Sequence, residues 1–423
     1  MKPGFYTIMA AQFFSSLADN ALLIAAIALL TQIHSPEWMT PLLKSFFVLS
    51  YVLLAPFVGA FADRLPKGKV MLITNTIKVA GCVLMFYGLH PLLAYALVGL
   101  GAAAYSPAKY GILTELLPHE RLVEANGWIE GLTVLSIILG TVLGGLLITP
   151  EVADWFLHTK LPGYFEHMDT PAEVAVFVIA LAYVIAGLFN MKIPDTGARY
   201  VSELRHPVEM TRRFFGCFAE LWKDKLGQIS LAVTTLFWGA GATLQFIVLK
   251  WAQVALNLSL NKGAVLQGVC AFGVAFGAVL AAKYVPLKKS MRVLPVGVAM
   301  GLVCMSMVFV NKLGTAYLLI IIIGALSGFF VVPMNAILQH RGHILMSAGR
   351  SIAIQNFNEN LSVLFMLGLY SFLIKFDVHV NTVILMFGGF VMGSMTLVIL
   401  RHYYAQKHFN VEACIGEEKP IGP

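Results

Sequence analysis

The sequence predicts an all-α integral membrane protein with twelve transmembrane helices and both termini in the cytoplasm. Three observations support this fold class. Of the 423 residues, 58% are hydrophobic and only 12% are charged, whereas a soluble domain carries about 25% charged residues. Apolar runs of spanning length recur along the chain, and the lysines and arginines cluster on one side of them. The net charge of +7 therefore has a topological cause, and we expect no nucleic-acid binding.

Each apolar run is long enough to cross a bilayer, which takes roughly 20 residues in a helix. The first run is too long for a signal peptide and contains Asp19, so we expect it to remain as the first helix. The predicted spans are residues 5–33, 40–62, 68–89, 91–113, 121–148, 172–194, 228–257, 263–285, 291–310, 314–339, 347–375 and 379–402.

The distribution of basic residues predicts the orientation. With both termini inside, the cytoplasmic segments hold 22 of the 29 lysines and arginines, and the outer loops hold four. The remaining three, Lys44, Lys78 and Lys250, lie in or at the edge of spans. An excess of this size on one side is the positive-inside pattern of membrane proteins.

The longest predicted cytoplasmic segment, residues 195–227, separates six spans from six. Its apolar residues recur at helical spacing with basic residues between them, which favours an amphipathic helix at the membrane surface over a solvated linker. The sequence leaves open whether the acidic outer loop 149–171 forms a lid or only connects two spans. The predicted division is an N-terminal bundle (1–194), this linker (195–227), a C-terminal bundle (228–402) and a tail (403–423).

Two short matches between the halves predict an internal repeat. Glu130-Gly-Leu-Thr-Val-Leu in span five matches Glu359-Asn-Leu-Ser-Val-Leu in span eleven, 229 positions later. Pro107 and Lys109 at the end of span four match Pro333 and Asn335 in span ten, 226 positions later. Nearly constant offsets indicate two parallel six-helix repeats, with a substrate site expected between them.

Polar side chains inside the spans are the candidate substrate-binding residues. Gln12, Ser15 or Ser16, and Asp19 share one face of span one, where a carboxylate costs about 2.5–3.5 kcal/mol on insertion scales. Asp19 either holds helices together or faces a substrate path, and the polar set from both halves favours the second. That set is Asp19, Asn20, Lys78, Glu130, Gln245, Lys250, Gln355, Asn356, Glu359 and Asn360.

The pairing of these charges stays open at this level. Lys78 and Glu130 are able to neutralise one another, and the cation facing Asp19 is Lys78, Lys250 or an ammonium group of the substrate. A zwitterionic headgroup needs an anion for its ammonium and a cation for its phosphate. The anions are Asp19, Glu130 and Glu359, and the cations are Lys78, Lys109 and Lys250.

The loop Gly59-Ala-Phe-Ala-Asp63-Arg64-Leu-Pro-Lys67-Gly68-Lys69 resembles the Gly-x-x-x-Asp-Arg-x-Gly-Arg-Lys loop of the major facilitator superfamily. A carboxylate and bases at facing helix ends would favour one state of a rocking transporter. The glycines of span five, which are Gly131, Gly140, Gly144 and Gly145, resemble the glycine-rich fifth helix of that superfamily, where small residues permit close helix approach. The candidate gating residues are Asp63, Arg64, Lys109, Glu115 and Arg341.

Longer blocks resemble one family within that superfamily, the bacterial lysophospholipid transporter (LplT-type) family. The blocks are Ala11-Gln-Phe-Phe-Ser-Ser-Leu-Ala-Asp19-Asn20-Ala-Leu, Gly101-Ala-Ala-Ala-Tyr-Ser106-Pro107-Ala-Lys109-Tyr110-Gly111-Ile-Leu, Phe237-Trp238-Gly-Ala-Gly and Gln355-Asn356-Phe-Asn-Glu359-Asn360. Gln245 stands in span seven where the family leads us to expect an arginine.

The resemblance implies inward transport of lyso-phosphatidylethanolamine and lyso-phosphatidylglycerol across the bacterial inner membrane by alternating access. It also implies re-acylation by a cytoplasmic acyltransferase/acyl-carrier-protein synthetase as the functional partner. We expect a monomer surrounded by membrane lipids, with no cofactor and no metal.

Other functions are less well supported. The chain lacks the Gly-x4-Gly-Lys-Ser/Thr loop of an ATP-driven flippase. None of the 11 histidines is followed by an aspartate at the fifth position, as a membrane acyltransferase would require. The main alternative is a proton-coupled facilitator of a sugar, a drug or another small amphiphile, because Asp19, Glu130 and Glu359 are able to carry protons. A scaffolding protein would not need so many polar groups inside its spans.

Overall fold

The computed structural model describes residues 3–35, 39–149, 151–152, 155, 170–198, 206–258, 260–376 and 378–416. Within these residues the structure is helical and contains no strand. Most of the outer loop 149–171 lies outside the described residues. The helices are α1 Pro3–Gln32, α2 Met39–Leu53, α3 Ala55–Arg64, α4 Lys67–Phe86, α5 Pro91–Leu116, α6 Leu122–Leu147, α7 Pro171–Met191, α8 Pro207–Lys223, α9 Gly227–Ala255, α10 Leu260–Tyr284, α11 Leu294–Met305, α12 Leu313–Leu345, α13 Ala348–Lys375 and α14 Val380–Phe409.

The helices confirm the prediction of a multi-span membrane protein. In the described part of the chain, 11 helical segments are long and apolar enough to cross a membrane, and a bent pair raises the number to 12 if it counts as one span. That pair is α2 and α3, which meet at an angle of 66°. Pro56, in the first turn of α3, explains the break because proline donates no backbone hydrogen bond and clashes with the preceding turn.

The described chain separates into two compact units. Unit 1 comprises Met1–Ile112 and Leu135–Thr211, and unit 2 comprises Leu113–Val134 and Arg212–Pro423. Helix α6 therefore contributes its first half to unit 2 and its second half to unit 1. The division predicted from the repeats, at residues 194 and 228, stays a prediction.

In unit 1, α7 packs against both α1 and α4, and the apolar side chains between them form the core. Helix α6 approaches α1 closely through Gly140 and Gly144. A Cβ atom on Gly140 would lie 2.5 Å from the Leu17 carbonyl oxygen, and one on Gly144 would lie 2.7 Å from that of Ala21. Only glycine permits this separation of the two backbones.

In unit 2 the corresponding spans pack together. Helix α9 packs against α13, and α11 packs against α14, as α1 packs against α6 and α4 against α7 in unit 1. Counted along the chain, spans seven and eleven pair in the second half, as do spans nine and twelve. In the first half the pairs are spans one and five, and spans three and six. The recurrence of the same pairs agrees with parallel six-helix repeats. Helices α10 and α12 also meet through glycines on both sides, among them Gly277 and Gly328.

Helix α8 lies in the segment predicted to be an amphipathic linker helix. Its Phe214, Phe215 and Phe218 surround Phe357 of α13, with ring centroids 5.5, 6.3 and 6.1 Å apart. Burial and the nearby Glu220 carboxylate raise the pKa of the Cys217 thiol on the same helix. Aromatic packing on α13 therefore fixes α8 to unit 2, and its predicted position at the membrane surface stays a prediction.

The end of the chain folds back onto unit 2. After α14, Asn410 adopts a left-handed conformation with φ of 46°, and Val411–Cys414 form a 3-10 turn. Val411 and Ile415 are buried. The Gly416 N–H donates a hydrogen bond of 3.1 Å to His340 Nε2, beside the ring of His119. Residues 403–416 of the predicted tail are thus ordered by contacts, and residues 417–423 lie outside the described part.

Candidate functional site

An ion pair inside the membrane-spanning part of unit 1 joins two of the predicted site residues. Lys78 Nζ, on α4, lies 2.8 Å from Asp19 Oδ2, on α1. The side chain of Lys78 is 1% exposed and that of Asp19 is 20% exposed. The pair is therefore accessible only from the side of its carboxylate.

Further polar groups complete this pair. The Tyr183 hydroxyl of α7 donates a 2.6 Å hydrogen bond to Asp19 Oδ1. Lys78 Nζ also donates to Ser15 Oγ at 3.0 Å, and Ser15 in turn donates to Asn75 Oδ1 at 2.9 Å. We call Ser15, Asp19, Asn75, Lys78 and Tyr183 the Asp19 cluster. It connects α1, α4 and α7 by charge-assisted hydrogen bonds, which compensate for the removal of two charges from water.

The packing around Lys78 explains its direction. Its stem crosses α5 at Gly101, where a Cβ atom would lie 2.8 Å from Lys78 Cγ. Its ammonium group lies 5.0 Å from the ring centroid of Tyr105 and 5.4 Å from that of Tyr183. Aromatic faces attract cations at such distances, so the lysine is held toward α1.

This geometry identifies the cation that faces Asp19 as Lys78. The other pairing considered from sequence, Lys78 with Glu130, involves a side chain that lies outside the described set, although Glu130 itself belongs to α6. Lys250, in unit 2, is exposed on α9.

Unit 2 contains a second polar cluster, the Glu359 cluster, formed by Asn335, Gln355 and Glu359. Gln355 Nε2 donates to Glu359 Oε1 at 2.7 Å and to Asn335 Oδ1 at 2.9 Å. All three side chains are buried, and they come from α12 and α13. In the internal repeat Glu359 corresponds to Glu130 and Asn335 to Lys109.

An amide pair lies one turn away from these repeat positions. Asn126 and Gln339 exchange two hydrogen bonds, of 2.8 and 2.9 Å. Asn126 precedes Glu130 by four residues on α6, and Gln339 follows Asn335 by four on α12. Both amides are buried in unit 2, where the reciprocal bonds satisfy them.

Other predicted binding residues make local contacts. Asn20 and Asn360 donate to backbone carbonyls one turn earlier, those of Ser16 and Asn356, at 2.8 Å each. Asn356 itself is buried on α13. Gln245 is exposed and bonds to Gln267 of α10 at 3.1 Å. These hydrogen bonds lie within α1, within α13 and between α9 and α10.

Four of the predicted gating residues lie on α3 and α5, and the fifth, Arg341, lies on α12. Asp63 pairs with Lys67 at 2.6 Å across the junction of α3 and α4, whereas Arg64 is exposed. Lys109 Nζ lies 4.2 Å from the ring centroid of Tyr110, and Glu115 is half-buried near the end of α5.

Arg341 forms a bidentate ion pair with Asp224, the residue that follows α8. Its Nε lies 3.0 Å from Oδ1 and its Nη2 lies 2.9 Å from Oδ2. The two side chains are 15% and 11% exposed. A fork-to-fork contact of this kind is both strong and directional, so Arg341 ties the linker segment to α12.

Sequence reasoning missed several members of these clusters. Asn75 lies three residues before Lys78, and this helical spacing is the signal that could have identified it. Asn335 was noted only as a repeat position. Tyr183 carried no signal, because it is one of 14 tyrosines in an apolar span. Asp224 lay in a segment interpreted as a linker.

Comparison with known proteins shows the family. The family model of the Major Facilitator Superfamily matches residues 8–365. The lysophospholipid transporter LplT of Yersinia enterocolitica is 45% identical over 381 residues, covering 90% of this chain and 89% of that protein. LplT of Yersinia pestis is 46% identical over 377 residues, covering 89% and 88%.

Solved structures resemble this chain in fold. FucP, a Major Facilitator Superfamily transporter in the outward conformation, aligns with a TM-score of 0.72 at 12% identity over 95% of this chain and 98% of that chain. The human organic anion transporter MFSD10 gives 0.70 at 14% identity, over 95% and 100%. Identities this low show the fold alone. The family is shown by the matched family model and by the curated relatives, which are named as transporters rather than enzymes. This multi-pass membrane protein belongs to the Major Facilitator Superfamily and, within it, to the LplT family of lysophospholipid transporters.

Proposed function

We propose that this protein moves lyso-phosphatidylethanolamine and lyso-phosphatidylglycerol inward across the bacterial inner membrane by alternating access. The lipid delivered inside is then the substrate of an acyltransferase/acyl-carrier-protein synthetase that restores the second acyl chain. The relatives named as lysophospholipid transporters support the substrate class.

The observation that carries the proposal is the Asp19–Lys78 ion pair. A lyso-phosphatidylethanolamine headgroup carries a phosphate anion and an ammonium cation, the same two charges as the pair. The ammonium is able to replace Lys78 as the partner of Asp19. The phosphate is able to replace Asp19 as the partner of Lys78. Such an exchange keeps every charge paired, so it avoids the cost of an isolated charge in a low-dielectric interior.

The difference in exposure between the two side chains supports an order of events. Asp19 is the partner that a ligand reaches first, because its side chain is 20% exposed and that of Lys78 is 1% exposed. The ammonium group would meet the carboxylate, loosen the ion pair, and so make Lys78 available to the phosphate.

The test is uptake of headgroup-labelled lyso-phosphatidylethanolamine by proteoliposomes that contain the purified chain. We expect uptake above that of protein-free vesicles, with unlabelled lyso-phosphatidylglycerol as a competitor and with no competition from sugars. Absence of lipid uptake, together with uptake of a sugar or a dye by the same vesicles, would refute the proposal. Uptake by spheroplasts before and after loss of the acyltransferase activity measures the link to re-acylation.

A further inference from the structure

Two buried hydrogen-bonding groups beside Lys78 have no partner in the described structure. They are Nδ2 of Asn75, a residue that is 1% exposed, and the hydroxyl of Tyr105, a residue that is 5% exposed. An unsatisfied polar group in a protein interior costs about 1–3 kcal/mol and calls for an explanation. One is an amide N–H group and the other is a phenol O–H group, and both are able to donate a hydrogen bond to an anion.

The local geometry fixes both donors near the lysine. Asn75 precedes Lys78 by one helical turn on α4, and its Oδ1 is occupied by the Ser15 hydroxyl, which leaves Nδ2 as the free end of the amide. The ring of Tyr105 lies 5.0 Å from Lys78 Nζ. Tyr105 follows Gly101 by one turn on α5, the position where the stem of Lys78 crosses that helix.

Neighbouring polar side chains are satisfied, which makes these two donors distinctive. Thr74, next to Asn75 on α4, donates to the Val70 carbonyl at 2.9 Å. The Tyr183 hydroxyl donates to Asp19, and the Tyr95 hydroxyl donates to the Asp19 carbonyl at 3.4 Å. The missing partners of Asn75 Nδ2 and Tyr105 are therefore not a general feature of the polar side chains near this ion pair.

We propose that Asn75, Lys78 and Tyr105 form an anion subsite that binds the phosphate of the lipid headgroup. This inference rests on the function proposed above, and it adds two residues that determine specificity. A phosphodiester offers oxygens that accept from an ammonium, an amide and a phenol at once, so its arrival satisfies both unpartnered donors. The carboxylate of Asp19 stays outside the subsite and takes the ammonium.

The experiment compares two competitors of labelled lyso-phosphatidylethanolamine uptake in the full chain. One is unlabelled lyso-phosphatidylethanolamine, and the other is a monoacylglycerol with the same acyl chain and no phosphate. The ratio of their inhibition constants measures the contribution of the phosphate-bearing headgroup. In Tyr105→Phe we expect this ratio to fall about tenfold, because a hydrogen bond to a charged group is lost. In Asn75→Asp it should fall further, because the added carboxylate also repels the phosphate. The constant for monoacylglycerol should stay unchanged.

Stability distinguishes a ligand-binding role from a structural one. The Tyr105 hydroxyl has no partner among the described residues, so Tyr105→Phe should melt at or above the wild-type temperature while binding lipid more weakly. Thr74→Val and Tyr95→Phe are the matched controls, and each should leave the ratio of inhibition constants as in the wild type.

Two outcomes separate the two hypotheses. If wild-type protein takes up no lysophospholipid, the proposed function fails. If wild-type protein takes it up and active Tyr105→Phe and Asn75→Asp retain the wild-type ratio, the anion subsite alone is refuted. Should Asn75→Asp fail to fold, the ratio in Tyr105→Phe decides.

Discussion

At the scale of single residues, the Asp19–Lys78 pair is unequal. The enclosed partner is the lysine, and the carboxylate keeps a hydrogen bond from Tyr183 as well as some exposure. Loss of either partner leaves the other charged, but the cost depends on which one remains. An unpaired ammonium without access to solvent is the more costly of the two.

We therefore expect Asp19→Asn to destabilise the protein more than Lys78→Met. The first leaves Lys78 charged and enclosed and should cost about 3–5 kcal/mol, and the second should cost about 1 kcal/mol. Combining both substitutions should restore much of the stability lost in Asp19→Asn. Thermal unfolding of the three variants in one detergent measures this coupling, and simple additivity of the two losses would contradict it.

Substitutions of Asp19 and Lys78 should affect uptake of the two lipids differently. Asp19→Asn should reduce uptake of lyso-phosphatidylethanolamine much more than that of lyso-phosphatidylglycerol, because only the first has an ammonium group. Lys78→Met should reduce both, because both contain a phosphate. Parallel uptake assays with the two labelled lipids check this prediction, and Lys312→Met, at an exposed site in unit 2, is the control. If Asp19→Asn reduces uptake of both lipids equally, the ammonium group does not bind at Asp19.

Sequence periodicity was sufficient to identify the polar face of the first span but not its partner. Helical spacing places Ser15 or Ser16 on one side of α1 with Asp19, and the structure shows that Ser15 and Asp19 are the residues that contact Lys78. The lysine lies 59 positions away on another helix. No pattern within one helix reveals which neighbour it faces, and this is why Lys78, Lys250 and a substrate ammonium stayed equivalent choices.

At the scale of helices, close contacts through glycine define the bundle. On α6, Gly140 and Gly144 lie against the carbonyl groups of α1, whereas Gly145 has no atom within 4 Å of the position a Cβ would take. The motif in the sequence predicted close packing of this helix. It left open which glycines are in contact, because neighbouring positions on a helix point in different directions.

Alanine substitutions along α6 should therefore have opposite effects. Gly140→Ala and Gly144→Ala should each destabilise the protein by about 1–3 kcal/mol, since the added methyl group forces the two helices apart. Gly145→Ala should be neutral or should stabilise slightly, because alanine favours the helix more than glycine. Melting temperatures in detergent provide the measurement. A loss of stability in Gly145→Ala equal to that in Gly140→Ala would show that helix propensity, and not contact, governs this helix.

The ion pair between Asp224 and Arg341 connects the linker segment to α12. We expect Arg341→Lys to reproduce only part of it, because an ammonium group does not bind a carboxylate through two parallel hydrogen bonds. Uptake by Arg341→Lys, Asp224→Asn and the double variant measures the effect. If both residues act through this pair, the double variant should be no worse than the more impaired single variant. If instead the fractional losses of uptake in the two single variants multiply in the double variant, Arg341 has a role outside this ion pair.

At the scale of the whole molecule, apolar runs and charge asymmetry predicted the number and order of the spans. They did not predict the 66° bend between α2 and α3, because hydropathy is continuous across it and Pro56 was the only local sign. They also did not predict that the tail after α14 packs against His340. Contacts of that kind depend on surfaces assembled by distant parts of the chain.

The predicted orientation has a direct test in labelling with a membrane-impermeant maleimide. The background is a chain in which Cys82, Cys217, Cys270, Cys304 and Cys414 are replaced. Lys312→Cys, at an exposed position before α12, should react in intact spheroplasts. Lys289→Cys, at an exposed position before α11, should react only after the membrane is permeabilised. The reverse pattern would invert the assigned topology.

The close contact between spans one and five recurs between spans seven and eleven, but the glycine has changed helix. In the first half Gly140 and Gly144 belong to span five, whereas in the second half Gly239 of span seven faces Ser362 and Met366 of span eleven. Two parallel repeats are the result expected from duplication of an ancestral six-helix gene. After such a duplication, selection would have preserved the pairing of the two helices while the position of the small residue at their contact changed.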